Sequence, residues 1–236
     1  GSHTVLMSWC ADVGREALPF LNERGTPTVL VEDSWWHGGV LDTLSVDGRP
    51  GLVCVGTEYD QLQVLGAWED YSPERVRVTG WPGFDEYSDY DVVQVSEDVR
   101  VSLDLNNQWP LVFLSVDNNP GIGELCRDVV GALNDIGLVV YLVPAWHPAF
   151  DRTTPEERLV VEAALARFEV GKLVDRRNVQ TSELVTAANV VIATYSSLLT
   201  VAAALRKEVI AALYTETGFK QMQAEMVWEM PVMLIM

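Results

Sequence analysis

Four consecutive side chains with hydroxyl groups follow an apolar run late in the sequence. The run Val190–Ala193 leads into Thr194, Tyr195, Ser196 and Ser197, and an alanine-rich segment comes next. This order predicts a strand, a polar turn at its carboxyl end and a short helix. Hydroxyl groups and the exposed amides at a helix N-terminus donate hydrogen bonds to anions. The stretch is therefore a candidate phosphate-binding turn, and capping of the helix by its serines is compatible with that role.

A histidine next to a proline is a second candidate for contact with an anion. The sequence Pro144-Ala-Trp-His-Pro148 ends an apolar run, so His147 is expected at the carboxyl end of a strand, where ligands of parallel sheets bind. In its cationic form the imidazole neutralises part of the charge of a diphosphate. Such a group helps most when a leaving diphosphate gains charge in a transition state. A structural histidine is the alternative interpretation.

Polar residues also follow two other predicted strands. Asp117, Asn118 and Asn119 precede a Pro-Gly-Ile-Gly sequence, and an ordinary β-turn explains them as well as a ligand-binding loop does. Asp33 and His37 lie in an aromatic, glycine-containing loop after the predicted strand 28–31. Acid–base chemistry or substrate contact is one interpretation of this pair. A surface loop that covers the sheet edge is the other, and it is slightly favoured.

The composition is that of a globular protein. The 236 residues are 48% hydrophobic and 21% charged, and the length suits one large or two small domains. Residues 1–3 have the composition of a tag remnant and are left out of the fold prediction. The three cysteines are odd in number and widely spaced, which favours buried free thiols over a metal site or a disulfide.

The charge balance bears on partners and location. The net charge is -18, from 34 acidic and 16 basic residues, which argues against nucleic-acid binding because phosphate backbones require clustered cations. A phosphate site in this chain must therefore be local, built from amides, hydroxyls and one or two placed cations. No apolar stretch reaches the roughly 18 residues expected of a membrane span. We expect a cytoplasmic protein without a transmembrane segment.

Strand and helix patterns alternate in two blocks. The first block, residues 4–85, has about four predicted strands, and the second, residues 108–236, has five or six. Such alternation predicts an α/β fold with Rossmann-like parallel sheets. Residues 86–107 are acidic and weakly periodic, so we predict a linker there, with one extended piece at most.

Three motifs resemble, in their order and spacing, those of the GT-B glycosyltransferase superfamily. They are Val78-Thr-Gly-Trp-Pro-Gly-Phe-Asp85, Pro144-Ala-Trp-His-Pro148 and Ala188-Asn-Val-Val-Ile-Ala-Thr-Tyr-Ser-Ser197. The most similar patterns within it are those of CDP-glycerol glycerophosphotransferase-like and UDP-N-acetylglucosamine 2-epimerase-like proteins. The resemblance implies that residues 4–85 are an incomplete N-terminal domain and that residues 108–236 bind a nucleotide-activated donor.

The resemblance also implies roles for individual residues. Donor phosphates would contact His147, Thr194, Tyr195, Ser196 and Ser197. The ribose or the nucleotide would contact Thr215, Glu216 and Thr217. Other residues of the cleft would be Gly80, Asn118 and Asn119. Catalytic residues are not assigned, with Asp33 and His37 as weak candidates.

The implied activity is transfer of a sugar or alditol from a nucleotide-sugar or CDP-alditol donor, with no obligatory metal or other cofactor. Cell-envelope polysaccharide synthesis is the implied context, with association with a membrane surface or a partner subunit as a further expectation. Two departures weaken the implied activity: Thr194 replaces a common Asp, and the first block has fewer strands than the six or seven of a full domain. A non-catalytic nucleotide-sugar-binding module is therefore one alternative. An epimerase is the other, with Asp33, Asp85 and Glu216 as its candidate carboxylates.

Overall fold

The structure is a computed structural model of the chain. It describes residues 4–8, 12–32, 48–88, 90–118, 121–148, 150–153, 155–176, 178–194, 196–212 and 232–235. The chain divides into two compact units, Gly1–Asp89 (unit 1) and Tyr90–Met236 (unit 2). Each unit contains one sheet of parallel strands, so the predicted α/β fold class is confirmed.

Unit 1 is built on a four-stranded parallel sheet whose strands follow one another in chain order, β1-β2-β3-β4. The strands are β1 (Val5–Ser8), β2 (Thr28–Val31), β3 (Leu52–Val55) and β4 (Val76–Val78), and the helices are α1 (Asp12–Glu23), α2 (Glu58–Ala67) and α3 (Asp85–Ser88). Strands β2 and β3 alternate between buried and half-buried residues, as expected for short apolar strands. Buried Val53, Val64 and Trp68 lie at the centre of the core.

The segment 86–107 is largely helical, which corrects the prediction of a linker with an extended piece. Helix α4 (Val92–Ser102) begins after Asp91, whose carboxylate accepts the amide hydrogens of Val93 and Gln94, an N-cap arrangement. Val99 and Leu103, four residues apart, are buried on one face. The acidic residues of the segment obscure this short apolar stripe in the sequence.

Unit 2 is built on a six-stranded parallel sheet in the order β10-β9-β8-β5-β6-β7. Its strands are β5 (Leu111–Val116), β6 (Tyr141–Trp146), β7 (Lys172–Leu173), β8 (Val190–Ala193), β9 (Glu208–Ala212) and β10 (Val232–Ile235). Its remaining helices are α5 (Ile122–Ile136), α6 (Phe150–Thr153), α7 (Arg158–Leu165), α8 (Thr181–Ala187) and α9 (Leu198–Ala204). All six residues of β5 are buried, because this strand lies between β8 and β6 in the middle of the sheet.

The apolar run 138–143 predicts a strand, whereas the observed β6 lies about three residues later and contains Pro144. The amide hydrogens of Tyr141 and His147 point to the β5 side, where they bond to Pro110 and Val116, so the amide position of Pro144 points to the opposite side. Strand β7 pairs only with Tyr141 and Leu142 on that side. A proline at position 144 therefore removes no ladder hydrogen bond, and the strand continues through it.

Two glycines of unit 2 allow a matched test of this packing. A methyl group at Gly171 would overlap the backbone of Val140, whereas one at Gly131, inside α5, would meet no atom within 4 Å. We expect Gly171→Ala to destabilise the protein by about 1–3 kcal/mol. We expect Gly131→Ala to stabilise it by about 0.5–1 kcal/mol through higher helix propensity. Urea unfolding followed by circular dichroism measures both changes, and equal effects of the two variants would contradict the proposed backbone contact.

Candidate functional site

In unit 2 the strands are added to the sheet on opposite sides of β5. The chain continues from β5 to β6 and β7 on one side, and then returns to β8, β9 and β10 on the other. The carboxyl ends of β5 and β8 therefore flank a topological switch point, where open α/β sheets bind ligands. A cavity of about 430 Å³ opens at this edge. Its polar lining residues are Ser115, Asp117, Asn118, His147, Arg176, Thr181, Ser196 and Ser197.

A buried hydrogen bond joins the two strands at the switch point. The Thr194 hydroxyl donates to the Asp117 carboxylate, and the two residues are 6% and 4% exposed. Asp117 follows β5 directly and Thr194 follows β8 directly. The carboxylate that the resemblance places at position 194 thus has a counterpart on the neighbouring strand, at position 117. The hydroxyl hydrogen of Thr194 is used in the bond to that carboxylate.

The two serines predicted to bind phosphate both line the cavity. The Ser196 hydroxyl accepts a hydrogen bond from the Leu198 amide at 3.3 Å, so this serine caps α9. Ser197 occupies the N-cap position and makes no side-chain capping hydrogen bond. The seven-residue α9 has a short dipole, so the hydroxyls carry more of any anion binding than the helix does.

His147 is exposed at the mouth of the cavity, and its backbone is fixed on both sides. Its amide donates to the Val116 carbonyl at 2.8 Å, and its carbonyl accepts from the Phe150 amide at 2.9 Å. The neighbouring Trp146 packs edge-to-face against Phe150, with ring centroids 4.9 Å apart, and the Arg158 guanidinium lies 5.1 Å from its ring centroid. Trp146 thus has packing partners within the protein.

Arg176 is a cavity residue that the sequence did not single out. It follows β7, its side chain is half-buried, and its guanidinium donates to the Thr181 hydroxyl at 3.2 Å. Among the described lining residues, Arg176 and His147 are the two that can carry positive charge. The sequence signal was a basic residue a few positions after a predicted strand. That strand has only two residues, so the position of Arg176 in the sheet was not evident.

A carboxylate of the protein itself binds at the first turn of α5. Glu157 accepts the amide hydrogen of Gly123 at 3.1 Å, so this helix N-terminus is occupied by the protein itself. Burial, with smaller contributions from the negative charges of Asp117 and Glu157, raises the pKa of Cys126 to about 12. Cys126 is therefore a neutral buried thiol, as the cysteine pattern predicts.

Several predicted site residues lie outside the described part of the chain. They are Asp33, His37, Asn119, Tyr195, Thr215, Glu216 and Thr217. Asn118 lines the cavity of unit 2, whereas Gly80 belongs to unit 1, where its φ of 78° lies in the left-handed region that favours glycine. Within the described ranges, no group of three or more His, Cys, Asp or Glu residues is arranged to hold a metal ion. No described helix is both long and apolar enough to cross a membrane.

The sequence matches no family profile and no curated protein. Solved structures with a similar fold include UDP-GlcNAc 2-epimerase from Neisseria meningitidis bound to UDP-GlcNAc, with a TM-score of 0.62 at 12% identity over 88% of this chain. Anabaena HepE in complex with UDP and glucose has a TM-score of 0.54 at 14% identity over 98% of the chain. The wall teichoic acid polymerase TagF has a TM-score of 0.52 at 13% identity over 85%.

The fold of this chain is therefore that of GT-B glycosyltransferases and of a nucleotide-sugar epimerase with the same architecture. The chain spans 58% of the epimerase chain, 63% of the HepE chain and 52% of the TagF chain.

Proposed function

We propose that unit 2 binds the nucleotide-diphosphate part of an activated sugar or alditol, and that the chain is the donor-binding part of a GT-B-type transferase. The observation that carries this proposal is the convergence of Arg176, His147, Ser196 and Ser197 on one cavity at the β5/β8 switch point. These residues come from three different crossovers of the sheet. A diphosphate is the common biological ligand that matches two cationic side chains and paired hydroxyl donors.

Each residue has a distinct chemical task in this proposal. Arg176 offers a planar fork of N–H donors with permanent charge to one phosphate, and its contact with Thr181 restricts the rotation of that fork. His147 lies directly after β6 and supplies a second side chain that can carry positive charge. Ser196 and Ser197 donate hydroxyl hydrogen bonds to the remaining oxygens. Together they stabilise the charge that develops on a leaving nucleoside diphosphate when the sugar or alditol is transferred.

The carboxylate at the base of the cavity has a different task. Asp117 repels phosphate oxygens at close range, so the diphosphate lies on the His147, Arg176 and serine side. A carboxylate suits hydroxyl groups of a ribose or a sugar, which donate hydrogen bonds to it. The volume of about 430 Å³ falls within the usual range for small-molecule sites, about 300–1,000 Å³. The two described faces of the cavity thus suit the two chemical halves of a nucleotide sugar.

Titration calorimetry on the folded chain tests this proposal. We expect UDP, UDP-glucose, UDP-GlcNAc or CDP-glycerol to bind with a Kd in the range of about 1 μM to 1 mM, which is usual for enzyme substrates. Free nucleoside diphosphate should compete with the full donor because the diphosphate is the shared anchor. If the chain keeps its circular dichroism spectrum and binds none of these compounds, the proposed donor site is ruled out.

A non-catalytic binding module is the second candidate function. One observation favours it. The described strands of unit 1 lie in the sheet in the same order as in the chain, so the order of these strands does not reverse and they contain no switch point like that of unit 2. A donor that binds to the chain without release of nucleoside diphosphate would support this candidate. Release of nucleoside diphosphate would support the transferase, and a donor sugar with altered stereochemistry in the NMR spectrum would identify an epimerase.

The proposal extends to the cellular setting that the resemblance implies. It comprises a cytoplasmic location, a role in cell-envelope polysaccharide synthesis, and association with a membrane surface or a partner subunit. Localisation of the tagged protein and a search for co-purifying envelope-synthesis proteins test these points.

A further inference from the structure

Two buried carboxyl groups lie on neighbouring amides at the carboxyl end of the sheet of unit 1. Glu32 follows β2 and is 2% exposed, and Asp60 in the first turn of α2 is 3% exposed. Their carboxyl groups accept the hydrogens of two consecutive amides, those of Gly56 and Thr57, at 2.8 Å each. The function proposed for unit 2 does not use this pair, and an isolated buried carboxyl is rare unless it has a defined partner.

The hydrogen-bond partners of the pair fix the positions of the two carboxyl groups. One Glu32 oxygen accepts the Gly56 amide hydrogen at 2.8 Å and the Trp81 indole hydrogen at 3.1 Å. One Asp60 oxygen accepts the Thr57 amide and hydroxyl hydrogens at 2.8 and 2.6 Å. Ionised carboxylates are acceptors only. Two ionised carboxylates on consecutive amides in a buried site repel each other, which favours one proton bound to the pair.

The surroundings favour retention of this proton. Burial raises the pKa of Asp60, and the hydrogen bonds from Thr57 and Glu32 oppose this shift only in part. No cation of the described chain is among the groups that shift this pKa. The described ionisable residues of the adjoining elements are Glu58 of α2 and Arg77 of β4, which are exposed, and Tyr59 of α2 and Cys54 of β3, which are half-buried.

Trp81 connects the carboxyl pair to the chain that leaves the sheet. Its indole lies directly over Gly56, where an added methyl group would overlap the ring. The indole also packs edge-to-face on Phe84, with ring centroids 5.2 Å apart. Glu32 thus holds residues 81–84, which follow β4, against the end of β3.

We propose that Glu32 and Asp60 share one proton and form a pH-sensitive latch, which fixes the Trp81 segment to the sheet of unit 1 while the proton is bound. When the proton passes to solvent, two carboxylates remain on neighbouring amides in a buried site and repel each other. Separation of the carboxylates moves Glu32 away from the Gly56 amide and the Trp81 indole. The segment that leads out of unit 1 is then released from the sheet.

The sign of the pH dependence follows from the raised pKa of Asp60. A folded-state pKa above the unfolded value of about 3.9 means that the folded chain binds the proton more tightly. This contribution to stability is complete below about pH 3.9 and is lost as the pH rises through the folded-state pKa. Asp60→Asn replaces the shared proton by a permanent N–H donor of the same shape, so it should remove this pH dependence.

NMR of the intact chain tests the latch at the Trp81 indole. The Trp81 signal is the ¹H–¹⁵N indole peak that disappears in Trp81→Phe. In the wild-type protein we expect this peak to shift in one titration step with a midpoint above about 3.9. In Asp60→Asn the peak should not titrate. Above the wild-type midpoint, its hydrogen exchange should be slower than in the wild-type protein, because the amide variant has no second carboxylate to repel Glu32.

Two further variants keep the outcome decisive. Glu32→Gln accepts from Gly56 and Trp81 and donates to Asp60, so it should also abolish the titration, even if Asp60→Asn does not fold. Glu58→Gln, an exposed acid on the same helical turn, should leave the wild-type titration unchanged. A wild-type indole signal that is constant from about pH 4 to 9, or a titration that persists in both amide variants, would overturn the proposal.

Discussion

Arg176→Ala should weaken binding of UDP or a UDP-sugar by about 10- to 150-fold, which corresponds to about 1.5–3 kcal/mol. The guanidinium lines the cavity and is oriented by Thr181, so its loss removes charge-assisted hydrogen bonds to phosphate. Titration calorimetry measures the change. Arg176→Lys should recover only part of the affinity, because it keeps the charge and loses the planar fork.

A matched control separates local contact from the overall charge of the protein. Arg167→Ala removes an exposed arginine of the same unit that is not among the lining residues of the cavity. Each variant removes one positive charge, so both make the net charge of -18 more negative by the same amount. We expect Arg167→Ala to change the affinity less than about twofold at physiological ionic strength. Equal losses in the two variants would refute a specific role for Arg176.

The centre of the fold was predictable from the sequence, whereas its edges were not. The apolar runs of β5 and β8 give their bounds directly, because strands that are covered on both faces require continuous apolar residues. Helix α4 was not predictable because its valines are spread over several faces: Val99 is buried, whereas Val93 and Val101 are exposed. Strand β6 was placed too early because Leu138 and Val139, which are apolar, are exposed before it.

The residues of the candidate site were predictable where they directly follow an apolar strand. His147, Ser196 and Ser197 each follow an apolar strand, and the structure places all three on one cavity. The position of Arg176 depends on the pairing of a two-residue strand with β6, which no local pattern specifies. The contact between Asp117 and Thr194 joins residues 77 positions apart and depends on the sheet order, in which β8 is adjacent to β5.

Thr194→Asp should destabilise the protein by about 3–5 kcal/mol near neutral pH. The substitution introduces the carboxylate that the resemblance places at position 194, but it sets it against the buried Asp117 and removes the hydroxyl donor. Two carboxyl groups in contact raise the pKa of one of them. The stability of the variant is therefore retained at low pH and lost as the pH rises through that raised pKa. Thermal unfolding from about pH 4 to 8 measures this dependence.

The double variant Thr194→Asp with Asp117→Thr tests whether the carboxylate and the hydroxyl can exchange positions. In this variant the carboxylate is at position 194, after β8, and the hydroxyl is at position 117, after β5. The same two groups therefore meet between the same pair of strands. We expect its stability to return to within about 1 kcal/mol of the wild-type value, a strongly favourable coupling relative to the single variants. If the double variant is as unstable as the sum of the single variants, the side-chain bond is not what joins β5 and β8 at the switch point. Recovery would show that the crevice requires one carboxylate and one hydroxyl, on either strand.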